Sequence, residues 1–301
     1  MPDPFGNGLT RGALRDTART CENRRSMSDS PLHSAFYRFT PLADPVAAAE
    51  TLRALARDLK GSIVVAHEGI NGTVAGCAES IADFEAALQG PGVLAGALRG
   101  MAFKHSACTT EPFGRLKVGV KPEIVALGLP DILPAPNEHD ASHLAPAEWR
   151  ELLQRDDVVL LDNRNHFEFR LGHFDGALDP QVHHFRDFVA YVQANAPAWR
   201  AAKRPVAMYC TGGIRCDKTA PWLRDLGLEV YQLDGGILGY FQQLPDADRD
   251  WQGECFVFDN RVALDTRLRE TATTAEQVFD PAHADEAWRL RRARRLDEAG
   301  D

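Results

Sequence analysis

The stretch YCTGGIRCDKTAPWL, residues 209–223, concentrates the reactive groups of this 301-residue chain. The apolar run PVAMYC reads as a buried strand ending at Cys210, and CDKTAPWLRDLG reads as a helix closed by Gly227. Between them Thr211, Gly212, Gly213 and Ile214 must turn the chain sharply, and glycine tolerates the backbone angles and close approaches this demands. Such a loop aims successive backbone N–H groups inward at a helix N-terminus, which makes an anion-holding nest. A Cys210 thiolate at its centre gains from those dipoles and from the Arg215 guanidinium. Its pKa is therefore expected below the free value of about 8.5. Taken alone, a cysteine at the end of an apolar strand is more often a small buried residue than a nucleophile. The paired glycines, the arginine five residues on and the helix behind them argue for reactivity. Four residues separate Cys210 from Arg215, one fewer than in the cradle of cysteine phosphatases, and the shorter loop suits a sulfur-sized group better than a tetrahedral phosphate. Cys216 closes the loop, either as a resolving thiol or as a helix-start residue with steric duties only.

The elements around this loop have to place it. DDVVLLD, ending in Asp162, and EVYQLDGG read as further strands, while HFRDFVAYVQANA and ILGYFQQL read as helices. Strands alternating with helices imply a doubly wound parallel sheet, whose ligands bind at the carboxyl ends of the strands. Asp162 and Cys210 both stand at such ends. The first half, from Ala35, reads β-α-β-β-α-β: AFYRF, the helix DPVAAAETLRALARDLK, two strands around a Gly-Ile-Asn-Gly turn, the helix ESIADFEAALQG, then MAFKHSA and RLKVGV. That order matches a ferredoxin-like α+β sandwich. In the expected hairpin turn His67, Glu68, Asn71 and Gly72 cluster, and turn conformation alone accounts for the Asn and Gly. The boundaries expected are an N-terminal extension over 1–33, a ferredoxin-like domain over 34–128, a Pro-rich linker over 129–142, the α/β domain over 143–258 and a basic helical tail over 259–301.

Composition narrows the class. At 44% hydrophobic and 26% charged residues the chain is an ordinary globular protein, and no apolar run approaches the ~20 residues of a membrane span. Six cysteines without a CxxC pair argue against a disulfide scaffold or zinc knuckle and fit a reducing cytoplasm. No 2-His-1-carboxylate spacing, dinucleotide fingerprint or haem motif is visible. The net charge of -9 is unevenly spread: residues 33–130 carry nine basic and nine acidic side chains, 131–260 twelve against twenty-one. Within the neutral first half Arg99, Lys104, Arg115, Lys117 and Lys121 form a local basic stretch, which on charge alone fits a polyanion or a solvated face.

At this point the chain resembles a known family. LLDNRNHFEFRLGHFDGAL is similar to the opening motif of rhodaneses, with Asp162, Arg164, Glu168, Gly172, His173, Gly176 and Ala177 filling it and Asn163 departing from the usual small apolar residue. YCTGGIRC resembles the rhodanese active-site loop in the form found in the rhodanese-related tRNA uridine hydroxylases. FYRFTPL, HEGINGTVAG, FKHS, LKVGVKPEIVALG, CTGGIRCDK, YQLDGGILGYF and GECFVFDNRVA follow that family's order across residues 36–263.

The resemblance implies oxygen-dependent hydroxylation of the wobble uridine of tRNA to 5-hydroxyuridine, with Cys210 required; Asp162 and Arg164 are candidates to support the site, although an Arg–carboxylate pair inside the domain is the more ordinary reading of Arg164. It implies molecular oxygen as co-substrate and tRNA (its anticodon loop) as partner; from the sequence itself no metal or organic cofactor is identified, no obligate protein partner is inferred and no membrane is expected. Some members carry a cysteine-rich, metal-binding tail; no cysteine follows Cys255, so no metal is expected from it. Lys104, His105, Arg115, Lys117, Lys121 and Lys218 become candidates for RNA phosphate, and Phe103 and Phe113 for stacking on unpaired bases, though each could equally be core. His173 reads as a structural hydrogen-bonder and Asp217 as an acid suited to the helix dipole. The target base has to leave its stack to reach Cys210, which asks for a cleft between the domains. Two other readings stand beside this one. A sulfurtransferase would carry a persulfide on Cys210, and a non-catalytic rhodanese-fold module would need neither Cys210 nor Arg215.

Overall fold

A computed structural model describes residues 30–134 and 141–297. The expected N-terminal extension up to residue 29, and residues 135–140 of the expected linker, lie outside the described residues.

The first domain is a five-stranded sheet with helices on one face. In chain order it contains β1 (Leu32–Phe39), α1 (Pro45–Leu55), β2 (Lys60–Ala66), β3 (Gly69–Gly76), α2 (Ala78–Leu88), β4 (Phe103–Ala107) and β5 (Leu116–Val120). The sheet order is β4-β1-β3-β2-β5, antiparallel except for the β2–β5 pair. This is the ferredoxin-like order with one strand added. Asp44 starts α1 by accepting the Val46 and Ala47 N–H groups at 3.0 Å, with Pro45 in the first turn. Leu52 from α1 and Phe84 from α2 pack with Phe36, Ile63 and Val74 into one core. The opposite face, carrying Tyr37, Phe39 and Ala66, turns toward the second domain and packs with Ile124 and Ile214.

The hairpin differs from the sequence expectation. Ala66 pairs with Gly69, so the turn is His67–Glu68, and the Gly-Ile-Asn-Gly segment lies inside β3. Gly72 sits mid-strand because the Phe36 ring occupies the place of its side chain, 2.6 Å from where a Cβ would stand. Glu68 and Asn71 of this cluster do more than shape the hairpin. The Glu68 carboxylate accepts the Ile124 N–H at 2.7 Å, and Asn71 donates to the Ile124 carbonyl at 3.0 Å, so the chain leaving the first domain is tied down there.

The second domain is built on a parallel sheet of β6 (His143–Leu144), β7 (Val159–Asp162), β9 (Val206–Tyr209) and β10 (Val230–Leu233), ordered β6-β10-β9-β7. Its helices are α3 (Pro146–Leu152), α4 (His166–Leu171), α5 (Phe188–Ala201), α6 (Ile214–Asp225) and α7 (Gly236–Gln243). Residues from α5 and α6 cover one face and residues from α3 and α7 the other. The short strand β8 (Gly172–Phe174) pairs with β11 (Trp251–Gly253), and β12 (Cys255–Phe256) pairs with β13 (Ala263–Leu264). Helices α8 (Ala275–Val278) and α9 (Ala284–Asp297) follow. The C-terminal segment is docked on the body: Phe279 and Phe256 each meet the Phe167 ring of α4 at 5.0 Å. Leu129 and Ile132, at the start of the expected linker, pack against the second domain's core beside Leu127.

Lys218 was a candidate for RNA contact, and the structure corrects that reading. Its side chain is 0% exposed and pairs with Glu68 of the first domain and with Glu123, the latter at 3.5 Å. It is an interdomain tie, because the start of α6 faces the first domain rather than solvent. Removing one member of a buried ion pair leaves uncompensated charge at a cost of about 3–5 kcal/mol. Lys218→Ala is therefore expected to lower the unfolding free energy in urea by about that amount. The exposed Lys121→Ala should stay within about 0.5 kcal/mol of the parent.

Candidate active site

Cys210 follows the last residue of β9, and α6 begins four residues later at Ile214. The residue is 0% exposed. Its sulfur accepts the Gly213 N–H at 3.1 Å, and the Arg215 and Cys216 backbone N–H groups also point to it. Gly213 has φ +101°, and a Cβ there would stand 2.9 Å from the Tyr37 hydroxyl, so both backbone and space require glycine. The N-terminus of α7 closes the loop from behind: Ile237 N–H donates to the Cys210 carbonyl at 3.0 Å and Leu238 N–H to the Thr211 carbonyl at 3.1 Å.

Burial pushes the Cys210 thiol up, but the Cys216 S–H, the Arg215 charge and the backbone N–H groups outweigh it and bring the pKa to about 5. Cys216 moves the other way, well above the usual thiol range, through burial and through donating to a sulfur that is already charged. Arg215 does not reach for the sulfur with a free fork. Glu168 on α4 takes both arms of its guanidinium at 2.8 Å, and Thr211 Oγ1 lies 3.4 Å from one of them. Burial works against the Glu168 charge, but Arg215 and Arg164 hold its carboxyl below the usual range. One layer back, Arg164 forks onto Asp162 and donates to the Gly172 carbonyl at 2.6 Å, all of it buried. Asn163, the departure from the motif, donates to Thr219 Oγ1 of α6 at 2.9 Å. His173 takes the structural role expected of it, bonded to the Phe169 carbonyl at 2.9 Å and stacked on the Phe169 ring.

The first domain covers this loop. Lys104 on β4 donates from Nζ to the Gly212 carbonyl, and its ammonium lies 5.6 Å from the Tyr37 ring centre. Burial pulls the Lys104 pKa down, opposed by the Cys210, Asp217 and Asp234 charges. Tyr37 on β1 donates its hydroxyl to Asp217 at 2.8 Å, and His143 meets the other Asp217 oxygen at 3.2 Å. A cleft of about 470 Å³ runs between the domains, with Tyr37, Lys104, Gly212 and Asp217 on its walls. Arg38 and Arg99 also line it.

The remaining sequence candidates are scattered. His105 pairs with Glu85 at 2.7 Å. Arg115, Lys117 and Lys121 lie on or beside β5, at the opposite edge of the sheet from β4. Phe103 packs into the first domain's core, and Phe113 stacks on His33 with ring centres 6.0 Å apart. Glu168 as the partner of Arg215, and Tyr37 as the lid on Gly213, were not anticipated. The strand alternation of AFYRF, which puts Tyr37 and Phe39 on the face opposite Phe36, carried the signal for Tyr37.

Comparison with known proteins agrees with this division. Residues 32–124 match the UPF0176 acylphosphatase-like domain and residues 145–243 the rhodanese-like domain. The chain is 47% identical over 237 residues to the tRNA uridine(34) hydroxylase of Synechococcus elongatus, covering 78% of this chain and 85% of that one. The chain belongs to the tRNA uridine(34) hydroxylase family. Family members of the same name from Nitrobacter winogradskyi and Jannaschia sp. are 44% and 45% identical, over 84% and 79% of this chain and 98% and 77% of theirs. In this member of the family the Cys210 loop is therefore a rhodanese loop roofed by the acylphosphatase-like domain.

A thiolate held by the nest should show itself by titration. The ultraviolet thiolate absorbance of the parent minus that of Cys210→Ser is expected to inflect near pH 5. In the pair Arg215→Met with Glu168→Gln, which orphans no buried carboxylate, the inflection should move upward. An inflection at the free-thiol value of about 8.5 in the parent would refute the nest's effect.

Proposed function

We propose that this protein hydroxylates the wobble uridine of tRNA to 5-hydroxyuridine, with molecular oxygen as co-substrate and Cys210 as the reacting residue. The observation that carries the proposal is the roof over the rhodanese loop: Lys104 of the acylphosphatase-like domain touches Gly212, next to the thiolate. A persulfide carrier needs its sulfur open to an acceptor, whereas Cys210 is 0% exposed, and Gly212 and Lys104 beside it line the cleft between the two domains.

In this reading an anticodon base, already free of a duplex partner, swings into the cleft and displaces Lys104 from Gly212. The Cys210 thiolate adds to uracil C6, and the electron pair released from the C5–C6 double bond spreads over C5 and O4 as an enolate. The Lys104 ammonium, freed from Gly212, balances the charge on O4. The electron-rich C5 takes one atom of O2. The other atom leaves as water, with two electrons from an external donor, and expulsion of the thiolate restores the C5–C6 double bond with loss of the C5 proton. Asp162 and Arg164 keep the strand end rigid beneath the loop. Cys216 holds the proton nearest the sulfur. No helix among the described residues is long and apolar enough to cross a membrane, and we place the activity where tRNA is, in the cytoplasm.

The deciding measurement is nucleoside mass spectrometry of total tRNA from cells lacking the gene. Complementation with the parent should restore 5-hydroxyuridine and its derivatives, and Cys210→Ala should not. Lys104→Met should fold, keep the Cys210 thiolate and still lose most of the modification. Nucleosides unchanged by the deletion would sink the hydroxylase reading and send the purified protein to a persulfide-transfer assay. The addition step is tested separately: tRNA carrying 5-fluorouridine at the wobble position should trap a covalent adduct on the parent but not on Cys210→Ala. Failure of the parent to trap it would exclude attack at C6 while leaving hydroxylation intact.

A further inference from the structure

The geometry points to a divalent-metal site where the C-terminal segment docks on the rhodanese domain, formed by His183, His283 and Glu286. These residues come from two places a hundred positions apart, which is why no local spacing exposes them. His183 lies between β8 and α5, His283 stands just before α9, and Glu286 is in the first turn of that helix. One ligand atom from each lies within 4.8 Å of the other two, the only such group among the described residues.

Three independent features separate this cluster from a chance meeting. First, the Nδ1 atoms of His183 and His283 are both buried without a hydrogen-bond partner. Buried polar atoms nearly always find one, and an imidazole nitrogen with a free lone pair beside a carboxylate is a ligand in waiting. Second, the carboxylate is already oriented. Glu286 Oε2 accepts Arg170 at 2.5 Å and the Asp280 N–H at 2.8 Å, which leaves Oε1 directed at His183 Nδ1, 3.7 Å away. That separation is too long for a hydrogen bond. It is close to the ~3.4 Å between two ligands of a tetrahedral ion bound at about 2.0–2.1 Å. Neighbours that fix a ligand's orientation in this way are the usual support of a metal centre. Third, the same residues line a cavity of about 270 Å³, shared with His166, Gln181 and Asp280, which leaves room for water in the open coordination positions.

Two features set the strength and the kind of cation. The His183 and His283 rings are stacked with centres 3.6 Å apart and planes 17° from parallel, so they must fan apart for both lone pairs to meet one ion. Arg170 sets a positive charge beside the carboxylate. Both reduce affinity. Two imidazoles and one carboxylate favour Zn²⁺, Co²⁺, Ni²⁺ or Fe²⁺ over Mg²⁺ and Ca²⁺. An ion there would staple α9 to the segment leading into α5, beside the Phe167 cluster. Its role is structural, and it does not rest on the tRNA reading.

The test uses the full chain without an affinity tag. Zn²⁺-loaded, desalted protein should retain about one equivalent by elemental mass spectrometry. It should also melt at a higher temperature than protein treated with a chelator. Co²⁺ should bind with a visible spectrum free of thiolate charge-transfer bands and unchanged in Cys210→Ser. His183→Ala with His283→Ala should retain no metal and show no Zn²⁺-dependent melting shift. The milder His283→Gln serves the same purpose should the double variant misfold by circular dichroism. No retained metal in the parent, or equal retention in a folded His variant, overturns the site.

Discussion

The structure is organised around one difficulty, that of keeping a charged sulfur where water does not reach it. A buried unpaired anion is costly enough that the group would ordinarily take up a proton instead. Here the anion is met by backbone N–H groups from Gly213, Arg215 and Cys216 and by the Cys216 thiol. Those donors exist only because a helix starts within four residues of a strand end, and Gly213 permits that start. The same demand explains the bidentate Glu168–Arg215 pair. Arg215 has to be held still to act on the sulfur as a fixed charge, and Glu168 holds it from α4, a helix that the docked C-terminal segment braces through Phe167.

The second constraint is that the two domains act as one device. The acylphosphatase-like sheet keeps one face free of helices, and that face meets the start of α6 through Phe39, Ala66 and Ile214. Polar ties run alongside: Tyr37 to Asp217, Lys104 to Gly212, and Lys218 to Glu68 and Glu123. Asp217 and Lys218 are consecutive residues near the start of α6, so the helix whose dipole serves the thiolate also carries both anchors. Displacing the first domain thus disturbs the electrostatics of the sulfur directly.

What the sequence disclosed follows the distance over which each interaction acts. The Cys210 cradle was legible because its chemistry is packed into a few consecutive residues, and both domain folds were legible from strand and helix periods. Partners distant in sequence were not. Glu168 stands 47 residues from Arg215 and Tyr37 180 from Asp217, separations at which no local pattern survives. Lys218 misled because a lysine near a helix start ordinarily faces solvent, and only the Glu68 and Glu123 carboxylates that reach it make its burial tolerable. The Gly-Ile-Asn-Gly segment misled because Gly72 answers to the Phe36 ring and Gly69 to the Arg38 carbonyl of the neighbouring strand, and not to a turn within the segment.

A lowered thiol pKa is usually taken as a device for faster attack, and the magnitudes argue otherwise. Shifting the pKa from 9.0 to about 5 raises the thiolate fraction at neutral pH roughly a hundredfold. Nucleophilicity falls with the same shift: at a Brønsted coefficient of about 0.4–0.5, four units remove a factor of roughly 60. The two nearly cancel. The net gain lies in departure, because a thiolate of low pKa is the better leaving group. In the proposed reaction the sulfur adds to uracil C6 and must later be expelled intact, and there this would be the half of the cycle that needs help. The same backbone N–H groups that hold the free anion receive the charge as the carbon–sulfur bond breaks. In the proposed cycle the nest is thus complementary to the end of the reaction, and the resting thiolate, with its pKa brought to about 5, is the state to which each turnover would return.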